Sequence, residues 1–251
     1  MILVPAALPT RAPGFRRLID PAVAPAALGG LTVEAVPAGG RTGSTAESEA
    51  VTLVLAGQAR WASRVLGPGA GLYHPPGARY GLTAAADAPF TLLTVYGPPV
   101  RNRPPGPAGP TGGGAPASVP LVRRPEHGSA LTRGGGFAGM GVHWLATARS
   151  VGARGLTVAT SVFVPGGRHA LHCHPAADEF FLVLTGGGDH LTERGRVRLA
   201  AGDLAYVPAG EWHGFTTRPG AATTALYGYL GAGSLRAAGY RIRTTTAQEA
   251  S

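Results

Sequence analysis

Apolar and polar residues alternate in short runs along most of the chain. In "LTVATSVFVPGG", Val158, Thr160, Val162 and Val164 fall on one face, and Thr157, Ala159, Ser161 and Phe163 on the other. β-Branched residues are frequent there, and Pro165-Gly166-Gly167 ends the run. Bulky apolar stretches such as "VTLVLAG" (51–57) and "FFLVLTG" (180–186) close on a glycine. Neither half shows a long amphipathic helix or a helix-turn-helix. The 40 glycines and 23 prolines stand as punctuation between apolar runs. Many short strands joined by Gly/Pro turns predict an all-β sandwich or barrel.

The pattern occurs twice. "GGLTVEAVPAGGR" (29–41) is matched by "RGLTVATSVFVPGGR" (154–168). "VTLVLAG" is matched by "FFLVLTG", and "GAGLYHPPGARYG" (69–81) by "AGDLAYVPAGEWHG" (201–214). Three matches in one order predict two copies of one β-module. Between them, residues 97–120 lack hydrophobic periodicity and read as a Pro/Gly-rich linker. The expected division is an N-terminal module over 1–105, a linker over 106–120 and a C-terminal module over 121–251.

Composition removes some functions. The formal net charge is +9. The chain has no lysine, though, and its arginines are scattered, so the charge argues little for nucleic acid. One cysteine, Cys173, excludes an intrachain disulfide. Pro5 and Pro9 interrupt the short apolar start, which has no basic region before it, and no stretch is long enough to span a bilayer. The expectation is a cytoplasmic protein acting on a small molecule, with no nucleic-acid or membrane partner and a homodimer left open.

The chemistry gathers in "RHALHCHPAADEFFLVLTG" and "GDLAYVPAGEWHGFTT". Residues two apart in a strand share a side, so His172 and His174 project together and Cys173 away. Glu179 opens the next strand with Phe181 on its side. A carboxylate facing an apolar interior needs a cation or a proton. His213, after the Pro208–Gly210 corner, starts a strand with Phe215 and Thr217 on its own side. Three imidazoles and a carboxylate suit a divalent transition metal, with Fe first and Mn, Ni, Cu or Zn as alternatives. An octahedral ion would keep about two positions open for water, oxygen or substrate. Phe181, Phe215 and Thr217 are the candidate substrate contacts, with plain barrel lining as the alternative for the phenylalanines. His190 aligns with Trp61 in the first copy and so faces inward. It is either a histidine satisfied by the backbone or an acid/base group beside the metal, and the second reading makes it the candidate catalytic residue. Asp189 and Asp203 read as turn residues. His127, His143 and His169 are assigned no role.

The spacing of Gly166, His172, His174, Glu179 and Gly186 resembles the first cupin motif. That of Gly202, Pro208, Gly210 and His213 resembles the second, with Thr217 in place of the usual final Asn. The resemblance covers residues 155–218 and, through the repeat, implies two jelly-roll cupin barrels in tandem. It also implies one metal per chain, on His172, His174, Glu179 and His213. The first copy lacks the histidine pair, and Tyr80 stands where the last histidine would be. It therefore resembles a cupin that has lost its metal site. Three functions are carried forward. The first is an Fe(II)-type dioxygenase or related oxidoreductase. The second is an oxygen-independent metal-dependent isomerase, lyase or hydrolase. The third is a non-catalytic small-ligand-binding cupin.

Overall fold

Short alternating runs become strands in both halves of the computed structural model, which describes residues 1–5, 13–20, 22–25, 27–85, 87–98, 121–122, 129–131 and 136–243. The linker expected over 106–120 lies outside them. The N-terminal half supplies β1 (Ile2–Val4), β2 (Gly14–Ile19), β3 (Gly30–Val36), β4 (Arg41–Thr45), β5 (Ala50–Ala56), β6 (Ala59–Trp61), β7 (Arg64–Leu66), β8 (Gly71–His74), β9 (Arg79–Ala84) and β10 (Phe90–Tyr96). Then follow β11 (Leu121–Val122), β12 (Ser129–Leu131), β13 (Phe137–Ala146), β14 (Leu156–Cys173), β15 (Asp178–Thr185), β16 (Gly187–Thr192) and β17 (Gly195–Ala200). The last are β18 (Leu204–Val207), β19 (His213–Thr217), β20 (Thr223–Leu230) and β21 (Arg241–Ile242). Only two single-turn helices are present among the described residues, α1 (Ala148–Val151) and α2 (Leu235–Ala238). None is long and apolar enough to cross a membrane.

Strand order shows the repeat directly. The N-terminal half contains the paths β8-β5-β10-β3 and β4-β9-β6-β7; the C-terminal half contains β18-β15-β20-β14 and β14-β19-β16-β17. The two sets are the same order in two copies, each a jelly roll. They differ where β3 and β4 are separate and β14 runs unbroken through 18 residues. Pro165-Gly166-Gly167 therefore bends the strand instead of ending it as expected. Gly166 takes the left-handed φ of 75° that a side chain resists. Before the bend β14 pairs with β20, and after it with β19. One strand thus serves both faces of the barrel.

The alternation also explains how the copies join. Val158, Phe180, Leu182 and Leu226 pack in one cluster with Leu31, Val33, Val51, Leu53 and Leu93 of the N-terminal half. The opposite faces of the same strands place Ala159, Phe163, Phe181, Val183 and Ala225 in a second cluster inside the C-terminal barrel. β15 is consequently buried on both sides. Edge strands cross over as well: β1 pairs with β18 of the C-terminal half, and β11 with β8 of the N-terminal half. Each covers an edge that would otherwise stay unpaired. Inside the N-terminal barrel, Val54, Leu66, Leu72, Leu82 and Phe90 fill the space.

Candidate metal centre

β14 and β19 lie side by side with His172 directly opposite His213. His174 follows the end of β14, and the turn through Pro175 returns the chain into β15, which brings in Glu179. β20 separates β15 from β14, and the curl of the sheet carries Glu179 round to face the histidines. The four ligand atoms lie within 4.8 Å of one another. Glu179 Oε2 is 3.1 Å from His174 Nε2 and 3.4 Å from His213 Nε2. All four residues are buried, none more than 7% exposed.

Each imidazole is fixed from behind. His172 Nδ1 donates to Ala170 O at 2.9 Å, His174 Nδ1 to Gly239 O at 2.6 Å, and His213 Nδ1 to Glu211 O at 2.9 Å. A carbonyl only accepts, so each Nδ1 carries the proton and each Nε2 presents its lone pair. The three Nε2 atoms have no hydrogen-bond partner. Three buried orphan acceptors beside a buried carboxylate are costly as a structural cluster. One divalent cation satisfies all of them, and backbone carbonyls behind imidazoles are the usual orienting partners of metal-binding histidines. The residues present fit such an ion.

The carboxylate draws positive charge to the cluster, and a metal ion would take the place of a proton on His213. Burial would push the Glu179 carboxyl up, yet the facing His213 and His174 hold it well below the usual range. Burial would lower His213, and the Glu179 carboxylate outweighs this and raises it. His172 is held well below its ordinary value, first by burial and then by the nearby His169. It stays neutral, as a ligand must.

His172, Glu179 and His213 of the cluster line a cavity. Space open to the centres of water-sized molecules is about 50 Å³, room for a few waters or one small molecule. Phe181, Phe215 and His190 all line it. His190 is 1% exposed, its Nδ1 has no hydrogen-bond partner, and its ring lies parallel to that of His213 at 6.1 Å. Burial lowers its pKa to about 3, so it is neutral at neutral pH. Thr217 is not brought into this group. Its hydroxyl is spent on Ala221 O, on Gly187 O and on Thr223, at the far end of β19. Asp203 caps its turn by accepting from Ala200 N. Asp189 instead sits within β16 opposite Arg198, so the turn reading fails there.

Sequence reasoning passed over several residues at the site. His169 lies against the cluster, stacked on His172 at 3.7 Å with its Nε2 3.1 Å from Tyr240 Oη. Tyr240 comes from the segment after β20, which folds back over the barrel mouth. There α2 ends at Gly239, whose carbonyl orients His174, and β21 pairs with β14. The alternation of Tyr240 and Ile242 with arginines was the only hint of that strand. Tyr227 and Tyr229, on the inward face of β20, complete the wall.

Among the described residues, the first copy shows no counterpart to this site. Tyr80 stacks on the buried His74 at 3.9 Å, and His74 Nε2 is 3.0 Å from Thr52 Oγ1. Among the described residues, one group of three or more possible ligands gathers, and it is the one in the C-terminal barrel.

Residues 159–226 match the cupin domain family, which places both motif histidine sets and Glu179 inside that domain. Solved structures with the same fold include the oxalate decarboxylase of Bacillus subtilis, known for its Mn(II) centres. It superimposes with a TM-score of 0.70 at 13% identity, over 96% of this chain and 79% of that one. The oxalate decarboxylase of Lactobacillus farciminis, in its formate complex, gives a TM-score of 0.67 at 14% identity, over 92% of this chain and 86% of that one. Such identities establish likeness of fold. No curated protein sequence is significantly similar to the chain.

Proposed function

We propose that this protein is a bicupin enzyme in which His172, His174, Glu179 and His213 hold one divalent metal, and that it is a lyase acting on a small molecule. One observation carries the reading: three buried Nε2 atoms, each with its Nδ1 tied to a backbone carbonyl, converge on a buried carboxylate that lines a cavity. Bound there, the metal would act as a Lewis acid on an oxygen group of the substrate. The neutral His190, with a free Nδ1 on the cavity wall, would give or take the proton. The aromatic walls would keep bulk water away. The N-terminal barrel supports the catalytic one through the shared core.

The order of the functions changes from the sequence reading. The two solved structures compared above are oxalate decarboxylases, one with Mn(II) centres, so the lyase is placed before the dioxygenase and Mn(II) before Fe. The test is turnover of Mn(II)-loaded protein with a panel of small 2-oxo and 2-hydroxy acids, following CO2 and O2 together. The expected result is product formation without stoichiometric O2 uptake. One O2 consumed per turnover would restore the dioxygenase.

A further inference from the structure

Resting on that reading of the metal centre, we propose that the substrate is not oxalate or another small dicarboxylate, but a molecule with its metal-binding oxygens at one end and an apolar body. The cavity above the ligands is walled by Met140, Val142, Trp144, Phe163, Phe181 and Phe215. Among the described residues no arginine lines it, and the chain has no lysine. A dianion bound at the metal turns carboxylate oxygens toward this wall. A carboxylate without a cation there is strongly disfavoured.

The polar groups that do line the cavity beyond the ligands are neutral. Ser161 Oγ is buried without a hydrogen-bond partner, as is His190 Nδ1. Tyr227 and Tyr229 add two hydroxyl groups from β20. Such donors suit one uncharged oxygen on the body of a ligand, not a second full charge. The small free volume sets the size: a short aliphatic body fits the existing space.

The test uses inert chelators: three hydroxamates that share one metal-binding head, with oxalate as the dianion for comparison. Acetohydroxamate, propionohydroxamate, butyrohydroxamate and oxalate are titrated calorimetrically into the Mn(II)-loaded wild-type protein, whose metal content is measured on the same sample. Affinity should rise about three- to fourfold per added methylene over the first members, the gain for burying CH2, and oxalate should bind more weakly than butyrohydroxamate. Equal affinity across the hydroxamates, or tighter binding of oxalate than of butyrohydroxamate, would overturn the inference and leave the metal centre standing. A sample that takes up no Mn(II) would sink the proposed function and this inference together.

Discussion

His190 differs from the three cluster histidines in the direction of its free nitrogen. Theirs are Nε2 atoms aimed at one another, with Nδ1 committed to the backbone. His190 leaves Nδ1 without a partner on the wall of the same cavity, outside the group of four whose ligand atoms lie within 4.8 Å of one another, with its ring 6.1 Å from that of His213. Its neutrality follows from burial first and from the neighbouring His213 second. His190→Ala is therefore predicted to retain the metal while turnover falls roughly a hundredfold or more, the range for losing an acid/base group. Steady-state kinetics beside metal analysis of the variant checks this. Unchanged turnover would remove His190 from the chemistry. At this scale the sequence was readable wherever period-two alternation held: His172, His174, Glu179, Phe181, His190, His213 and Phe215 all point inward. It failed for Thr217, because hydrogen bonding to the turn after β19 and to the starts of β16 and β20 claims the hydroxyl. Alternation assigns a side of the strand and does not say how far along it the cavity extends.

Among the elements, the segment from α2 to β21 matters most for the metal and was least legible. Its four-residue helix shows no periodicity, and its contribution is a backbone carbonyl, which no sequence pattern announces. Gly239 adopts φ 75° and ψ 161°, a region open essentially to glycine. A Cβ there would also stand 3.0 Å from Pro175 Cδ. Gly239→Ala should therefore displace the carbonyl that holds His174. Metal affinity is predicted to fall about tenfold or more, the usual loss when an orienting partner of a ligand is removed. Competition with a chromogenic chelator, with circular dichroism to confirm the fold, measures it, and wild-type affinity would show that His174 needs no such support. β14 teaches a related lesson. The Pro165-Gly166-Gly167 sequence looks like a stop, but Gly166 lets the chain bend and pair onward with β19, which sets His172 beside His213. Local turn residues cannot show whether the chain leaves the sheet or bends within it.

At the scale of the whole molecule, two copies of one fold pack together, and the ligand group found among the described residues lies in the second. They are held by the shared apolar core and by two buried carboxylates. Glu49 accepts from Arg154 N and Gly155 N, and Asp178 from Leu28 N, each across the two halves. Asp178 also accepts from Tyr206 Oη at 2.6 Å and precedes Glu179, so the N-terminal half helps to place the strand that carries the ligand. The internal repeat was visible in sequence because the matching strands keep their apolar order. The packing between copies was not, because it depends on which face of a doubly buried strand meets which neighbour. Backbone pairing and the apolar clusters hold the barrel strands, so the apo protein should keep its β-sheet signal. The most direct test of the account is the metal content of the protein after loading with excess Mn(II) and removal of the free ion, measured for wild type and for His174→Ala. The prediction is one ion per wild-type chain and essentially none in the variant, both folded by circular dichroism; two ions per chain, or full loading of His174→Ala, would contradict it.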